Sequence, residues 1–438
     1  MSTDDGGLSR FEHDEMRDLV LAGTQRIRPA GNRLGHFVGA GAALLLVGVL
    51  AGSLLTWTFG EPIAPGIVRA TPAPGVTVWS GRVAFSAGQG DGDIFLVKPD
   101  SPARRIIGSD ANNADQVCPA FSPDGTRLAS GQRSDDGARG VSTALLITDL
   151  AADGEPSQTT TLALDGVAVP PCPIWSADGR WLAFGAERAN QTSVTEVWVV
   201  DTETKEIRRL TGFSATDLEW SPNGSELFIA ATAIAVYSTA TETTRWLDGT
   251  AGARAIAISP DGESIAVQHD LSDNADDSVD LLLMDTDGSG QRTLVSDYRV
   301  GYGIGPVWSP DGNRVVFQRL CDTYTDGSGT QRDCIEEHEA VVVTVNDHDP
   351  LRPSGTRAVV QPPQTSVAGQ LRQWFPYSVS WSPDSRSLLY LAWSSSASGI
   401  LAVPVNTSTP PMILEDTLGV TGHGGEPWNT FQSWSAKP

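Results

Sequence analysis

Four cysteines, six histidines and 53 acidic side chains are the groups in this 438-residue chain with chemistry to offer. Cys118 and Cys172 sit in two similar stretches, VCPAFS and PCPIWS, each three residues before an aromatic. Cys321 and Cys334 bracket a polar insertion, CDTYTDGSGTQRDC. Two disulfides are expected: one stapling that insertion, and one joining the equivalent pair, for which free buried thiols are the other outcome. Paired cysteines suit an oxidising compartment, and a bridge requires Cα atoms within about 7 Å. No Cys-x-x-Cys and no paired histidine accompanies them, so zinc is disfavoured and no metal ligand is assigned.

The carboxylates cluster in two places. Asp91 and Asp93 form one group; Asp270, Asp273, Asp276, Asp277 and Asp280 form the other. Calcium needs several oxygens in one cage, and no EF-hand pattern is present, so these read as solvated carboxylates of turns. His269, His338, His348 and His423 are scattered without ligand spacing. There is no G-x-S-x-G nucleophile elbow. GYGIGP (301–306) follows no dinucleotide-binding context and reads as a glycine-rich loop. No catalytic residue and no cofactor is therefore assigned. A hydrolase or lyase that gathers its site from separate parts of the chain is the alternative function.

Binding chemistry has a more specific candidate. Trp374, Phe375 and Tyr377 stand together in QPPQTSVAGQLRQWFPY (361–377), and clustered aromatics are common anchors at interfaces. The competing reading is that they pack this stretch onto the body of the protein. The formal net charge of -23 excludes the basic footprint of nucleic-acid binding.

The elements that position these residues announce themselves by repetition. FSPDGTRLAS begins at Phe121, WSADGRWLAF at Trp175, WSPNGSELFI at Trp220, ISPDGESIAV at Ile258, WSPDGNRVVF at Trp308 and WSPDSRSLLY at Trp381. Each is an aromatic or Ile, a Pro-Asp-Gly-like turn and an apolar run. Pro presets φ, Asp bonds the backbone ahead and Gly takes the left-handed position. Further short apolar runs follow each unit, such as EVWVVDT (196–202) and LLLMDTDGSG (281–290). Each unit therefore predicts four short strands, a to d, with the turn joining a to b. A lone four-stranded sheet cannot bury both faces, but sheets arranged radially bury them against each other, as in a β-propeller.

The ends agree with a closed ring. WSGRVAFSAGQGDGDIFLVKPD, from Trp79, supplies strands b, c and d, and FQSWSAKP at the end of the sequence supplies the missing strand a. The expected fold is all-β, a seven-bladed β-propeller, with six or eight blades left open. The long interval from Trp308 to Trp381 is read as one blade with insertions.

LLLMDTDGSGQRTLVS (281–296) followed by VWSPDGNRVVFQ (307–318) resembles the TolB-like, WD-type propeller repeat. The resemblance covers about 79–438. It implies a propeller used as a binding platform in the cell envelope.

One segment speaks to compartment. HFVGAGAALLLVGVLAGSLLTWTF (36–59) contains no charged side chain. As a helix, the part from Phe37 to Phe59 would reach ~34 Å at about 1.5 Å per residue, enough to span a bilayer. Arg26, Arg28 and Arg33 precede it, which places the N-terminal side in the cytoplasm; a cleaved signal peptide is the other reading. The expected organisation is a cytoplasmic tail (1–35), a single transmembrane helix (36–59), a Pro-rich linker (60–78) and an exported propeller (79–438). The a–b turns should face the membrane. The insertions at 321–339 and 361–377 should face outward and bind, without catalysis, an envelope protein or polymer. The oligomeric state is open.

Overall fold

The computed structural model describes residues from Gly81 to Ser435, with interruptions of which the widest are 271–277, 346–356 and 416–431. Within the strands, the side chains of 357–378 and 391–400 lie outside the description. The segments 1–35, 36–59 and 60–78 also lie outside it. Among the described residues no helix is long and apolar enough to cross a membrane.

Seven four-stranded antiparallel sheets make up the propeller. Blade 1 takes its strand a from the far end of the chain: Gln432–Ser435 pairs with Arg82–Ala87, placing Trp434 opposite Val83. Asp93–Val97 and Arg104–Ile107 complete it. Blade 2 runs Ala114–Phe121, Arg127–Asp135, Val141–Leu150 and Pro156–Ala163. Blade 3 runs Ile174–Trp175, Trp181–Arg188, Gln191–Asp201 and Ile207–Leu210. Blade 4 runs Asp217–Trp220, Glu226–Ala230, Ile234–Ser238 and Thr243–Trp246. Blade 5 runs Ala253–Ile258, Ser264–Asp270, Ser278–Asp285 and Arg292–Arg299. Blade 6 runs Val307–Trp308, Arg314–Leu320, His338–Thr344 and Arg357–Val360. Blade 7 runs Phe375–Trp381, Ser387–Ser394, Ala397–Pro404 and Met412–Glu415.

The count of blades is thus seven, and the long interval is one blade with two insertions. Each insertion forms its own small hairpin, Thr323–Thr325 with Gln331–Asp333 and Thr365–Val367 with Gln370–Arg372. Strand Phe375–Trp381 begins earlier than the sequence suggests, so Phe375 and Tyr377 belong to an inner strand and not to a loop. Phe375 lies opposite Trp393 and Pro376 opposite Ala392, and the register slips at Tyr377 before Ser378 meets Leu391. A proline is tolerated there because this is an edge strand, whose free N–H side needs no ladder partner.

The blades are held by apolar side chains from both partners of each seam. Ala183, Val197 and Val199 of blade 3 pack with Leu227, Ile229 and Tyr237 of blade 4. On the other face of blade 4, Phe228, Ala230 and Val236 pack with Ile256, Ile265 and Val267 of blade 5. Alternation along a strand sends successive side chains to opposite faces, so the run LFIA (227–230) is apolar throughout because both its faces are covered.

The repeated turn builds a repeated network. The Ser122 hydroxyl donates to Asp124 Oδ1 at 2.6 Å and accepts from the Arg127 amide at 2.9 Å, while Asp124 Oδ1 accepts from Thr126 N at 3.1 Å. The Ser-Asp pairs 176/178, 309/311 and 382/384 repeat the bond. Gly125, Gly179, Gly224, Gly262 and Gly312 each take φ between 66° and 77°; in the turn of blade 7 Ser385 takes 61° in the same place.

Two further devices knit neighbouring blades. The Trp175 indole donates to Ala120 O, Trp220 to Ile174 O, Trp308 to Ala257 O and Trp381 to Val307 O, at 2.9 to 3.3 Å. In every case the indole of one blade caps the inner strand of the blade before. On the turn side, Arg127 lies 4.5 Å from the centre of the Trp175 ring and donates to Gly179 O; Arg314 lies 4.8 Å from that of Trp381 and donates to Ser385 O. Such a cation over an aromatic is worth about 0.5–2 kcal/mol.

Candidate functional site

In blades 2 to 6 the residue four positions before the recurring turn serine comes to the channel, from strand a itself or from just before it. Around the ring these are Cys118, Cys172, Asp217, Ala255 and Gly305. All five line a cavity of about 870 Å³ at the inner ends of blades 2 to 6. Gly305 is glycine for a steric reason: a Cβ there would fall 2.5 Å from the Ala255 Cβ and 3.4 Å from Asp217 Oδ2.

Cys118 and Cys172 are joined as a disulfide across the blade 2–3 seam, with Cα atoms 4.9 Å apart. Cys118 sits where the register of blade 2 slips, between Val117 and Ala120, and has φ of 54°. The bulge turns its side chain toward the neighbouring blade. Cys321, Cys334 and Trp374 lie outside the described residues, as do the side chains of Phe375 and Tyr377.

The remaining sequence candidates are mostly accounted for by local partners. Asp93 pairs with Arg105 at 3.1 Å, Asp280 accepts the Asp297 amide at 2.9 Å, and the His269 ring bonds Ala251 O at 2.8 Å. Asp91, Asp273, Asp276, Asp277, His348 and His423 lie outside the description. Among the described residues no group of three or more His, Cys, Asp or Glu is placed to hold a metal.

What the sequence reading missed is a pair of carboxyls on blade 4. Asp217 and Glu219 alternate along Asp217–Trp220 and share a face with Phe228 and Ala230, opposite them in the register, toward blade 5. Asp217 accepts two main-chain N–H groups, Leu218 at Oδ1 and Ile256 at Oδ2, both at 2.9 Å. The second bond crosses the blade 4–5 seam. Glu219 has no hydrogen-bond partner among the described residues, and both carboxyls border the cavity. They keep some exposure through it while protein surrounds them on their other sides.

This is the seam where Ile258 stands in place of the usual tryptophan, so no indole fills it or caps the Glu219 carbonyl. The signal was present in the sequence: in the aligned units, the DLEW of blade 4 puts acids where others put Cys, Ala, Ile or Gly.

Burial drives both acids upward. Asp217 is pushed up to about 6 in spite of its two amide donors. Glu219 is pushed up to about 8 by burial, with the charge of Asp217 adding to it. At neutral pH Glu219 therefore carries a proton and Asp217 is mostly ionised. Two carboxyls split in this way offer one proton donor and one acceptor side by side.

Two more polar groups line the same cavity. Gln268 is 5 % exposed. Arg254 occupies a bulge, where the register passes from Ala253–His269 to Ala255–Gln268. Among the described residues Arg254 has no ion pair, and it is not among the charges that act on Asp217 or Glu219. The cation belongs to blade 5 and the acids to blade 4.

Fold and site together define a seven-bladed β-propeller with a cavity at its inner strands, largely apolar and bordered by two carboxyls. No family model matches the chain. A curated relative, an uncharacterised protein of Agrobacterium fabrum, is 27% identical over 149 residues, 34% of this chain and 39% of its own length. The chain therefore matches only about two fifths of that relative. Among solved structures it is similar to a periplasmic gluconolactonase of Pseudomonas aeruginosa (15% identity, 82% of this chain and 100% of that one, TM-score 0.49). It is also similar to a puromycin hydrolase (16%, 74% and 50%, TM-score 0.48) and to the nidogen/laminin complex (13%, 82% and 100%, TM-score 0.40).

Proposed function

We propose that this chain is an exported, TolB-like propeller, anchored in the membrane by 36–59, that works as a non-catalytic binding protein and holds a small polar ligand in its channel cavity. The observation that carries this is Glu219: its carboxyl faces a cavity of about 870 Å³ beside Asp217, without a hydrogen-bond partner among the described residues. Glu219 is partly exposed through the cavity, and a ligand that bonds it there gains a hydrogen bond worth about 0.5–1.5 kcal/mol. The test is a thermal-shift panel of charged, zwitterionic and neutral small molecules on detergent-solubilised full-length protein. At least one class should raise the midpoint for the natural protein and fail to do so for Glu219→Gln. A panel with no such class would remove the channel reading.

A second reading has its own observation. The two extra hairpins, Thr323–Thr325 with Gln331–Asp333 and Thr365–Val367 with Gln370–Arg372, both arise between strand b of blade 6 and strand a of blade 7. They support a platform there for an envelope protein or polymer, with Trp374, Phe375 and Tyr377 nearby in sequence. Loss of a crosslinked partner from intact cells on deletion of 361–373 selects it. The alternative enzyme, an extracytoplasmic hydrolase or lyase, would use the same two carboxyls, Glu219 as acid and Asp217 as base. Turnover abolished by both Glu219→Gln and Asp217→Asn selects that.

A further inference from the structure

The channel-site reading leaves the chemical class of the ligand unstated, and the lining narrows it. Asp217 has drawn in the two main-chain amides within its reach, and no side-chain donor bonds either carboxyl among the described residues. Two carboxyls placed side by side and partly stripped of water repel each other's charge. A proton on Glu219 relieves this in the empty cavity. A cation seated between them would relieve it better, because both groups could then ionise against it.

A cation alone does not match the whole cavity. Arg254 lines it as well, aimed by its bulge and without an ion pair among the described residues. A guanidinium is always charged and its fork fits carboxylate and phosphate oxygens. Arg254 belongs to blade 5 and the two acids to blade 4, so cation and acids can take opposite ends of one ligand. Apolar lining from Ile174, Ala255 and Val300 lies along the cavity, suited to a short hydrocarbon stretch between two charged ends.

We propose that the cavity binds a small zwitterion, its ammonium group between the carboxyls of Asp217 and Glu219 and its anionic group on Arg254. This rests on the reading of the channel as a ligand site. Arg254, Asp217 and Glu219 fix the orientation of the ligand, blade 4 taking the positive end and blade 5 the negative end. Because Glu219 holds a proton in the empty cavity at neutral pH, the ammonium displaces it, and binding releases a proton to solvent.

The experiment is titration calorimetry on detergent-solubilised full-length protein at pH 7.5, in two buffers of different ionisation enthalpy. The probes are 4-aminobutyrate, 6-aminohexanoate, n-butylamine, butyrate and sorbitol. An aminocarboxylate should bind about tenfold or more tightly than butylamine or butyrate, with a buffer-dependent heat showing proton release. Glu219→Gln should abolish the proton release and weaken the aminocarboxylate about tenfold or more. Arg254→Met should reduce the aminocarboxylate to the level of butylamine. Butylamine binding as well as the aminocarboxylates would overturn the proposal. So would sorbitol binding in a Glu219-dependent way while the aminocarboxylates do not, an outcome that leaves the channel site standing. Binding of no probe by a folded protein would overturn the proposal and count against the channel site as well.

Discussion

Asp217 Oδ2 accepts the main-chain N–H of Ile256 at 2.9 Å across the seam between blades 4 and 5. At four other seams the bond that crosses comes from an indole, Trp175, Trp220, Trp308 or Trp381. The Ile258 side chain has no N–H to donate, and at this seam a carboxylate takes over the linking role. Two residues on from Asp217 along the same strand, Glu219 brings a second acid to the wall of the cavity.

Asp217→Ala should destabilise the protein by about 2–4 kcal/mol, because two main-chain N–H groups lose their acceptor at once. Asp217→Asn should cost less, since its remaining carbonyl oxygen keeps one of the bonds. Urea unfolding of the three proteins measures this. An alanine variant within ~0.5 kcal/mol of the natural protein would mean that water replaces the carboxylate and that Asp217 does not link the blades.

Trp220→Phe and Trp308→Phe should each cost about 1–3 kcal/mol, leaving Ile174 O and Ala257 O without their donors. The seams are separate, so the double variant should be the sum within ~0.5 kcal/mol. Denaturant midpoints of the single and double variants test both the size and the additivity.

Replacing Cys118 and Cys172 by alanine together should lower stability by about 2–4 kcal/mol, as expected for a bridge closing a loop of this size. The sequence separation it spans is 54 residues. The natural protein in reductant should approach the stability of the double variant.

The pH dependence of stability should have two limbs of opposite sign. Glu219 moves from an ordinary 4.5 to about 8 on folding, so the folded state holds a proton that the unfolded chain releases. Its contribution is fully favourable below pH 4.5 and is lost as pH rises toward 8; Asp217 behaves alike between 3.8 and about 6. Asp124 has the other sign. Burial opposes its ionisation, but the hydroxyls of Ser122 and Thr126 and the Thr126 amide hold it down to about 2. Its stabilisation is present above 3.8 and is lost as pH falls toward 2. Urea midpoints between pH 2 and 9 should therefore peak on the acid side of neutrality. Glu219→Gln should flatten the fall between pH 4.5 and 8, and an unchanged profile would show that Glu219 titrates normally.

Much of the ring was legible in the chain itself. The turn Ser-Pro-Asp-Gly is a local structure: Ser122, Asp124 and Gly125 satisfy each other within four residues, so each copy reports its own blade. The closing strand was legible for the same reason, because FQSWS repeats the strand-a pattern and Arg82–Ala87, paired with Asp93–Val97 on one edge, lacks a partner on the other without it. Phe375 and Tyr377 were read as loop residues because an aromatic-Pro-aromatic run has no strand alternation of its own; pairing with the next strand imposes it.

Spacing within each unit, read residue by residue, determined the all-β class and the blades, because turns and alternation are set by neighbours in the chain. It also put Cys118 and Cys172 at equivalent positions. Only the tertiary structure decided which inner strands face each other across which seam. The bond from Asp217 to Ile256 exists because blades 4 and 5 meet there, and the cavity because the inner ends of blades 2 to 6 do. No local rule contains those contacts. Burial arises between segments far apart in sequence, and it raises the carboxyls of Asp217 and Glu219 where the other described carboxyls with a resolved shift are lowered.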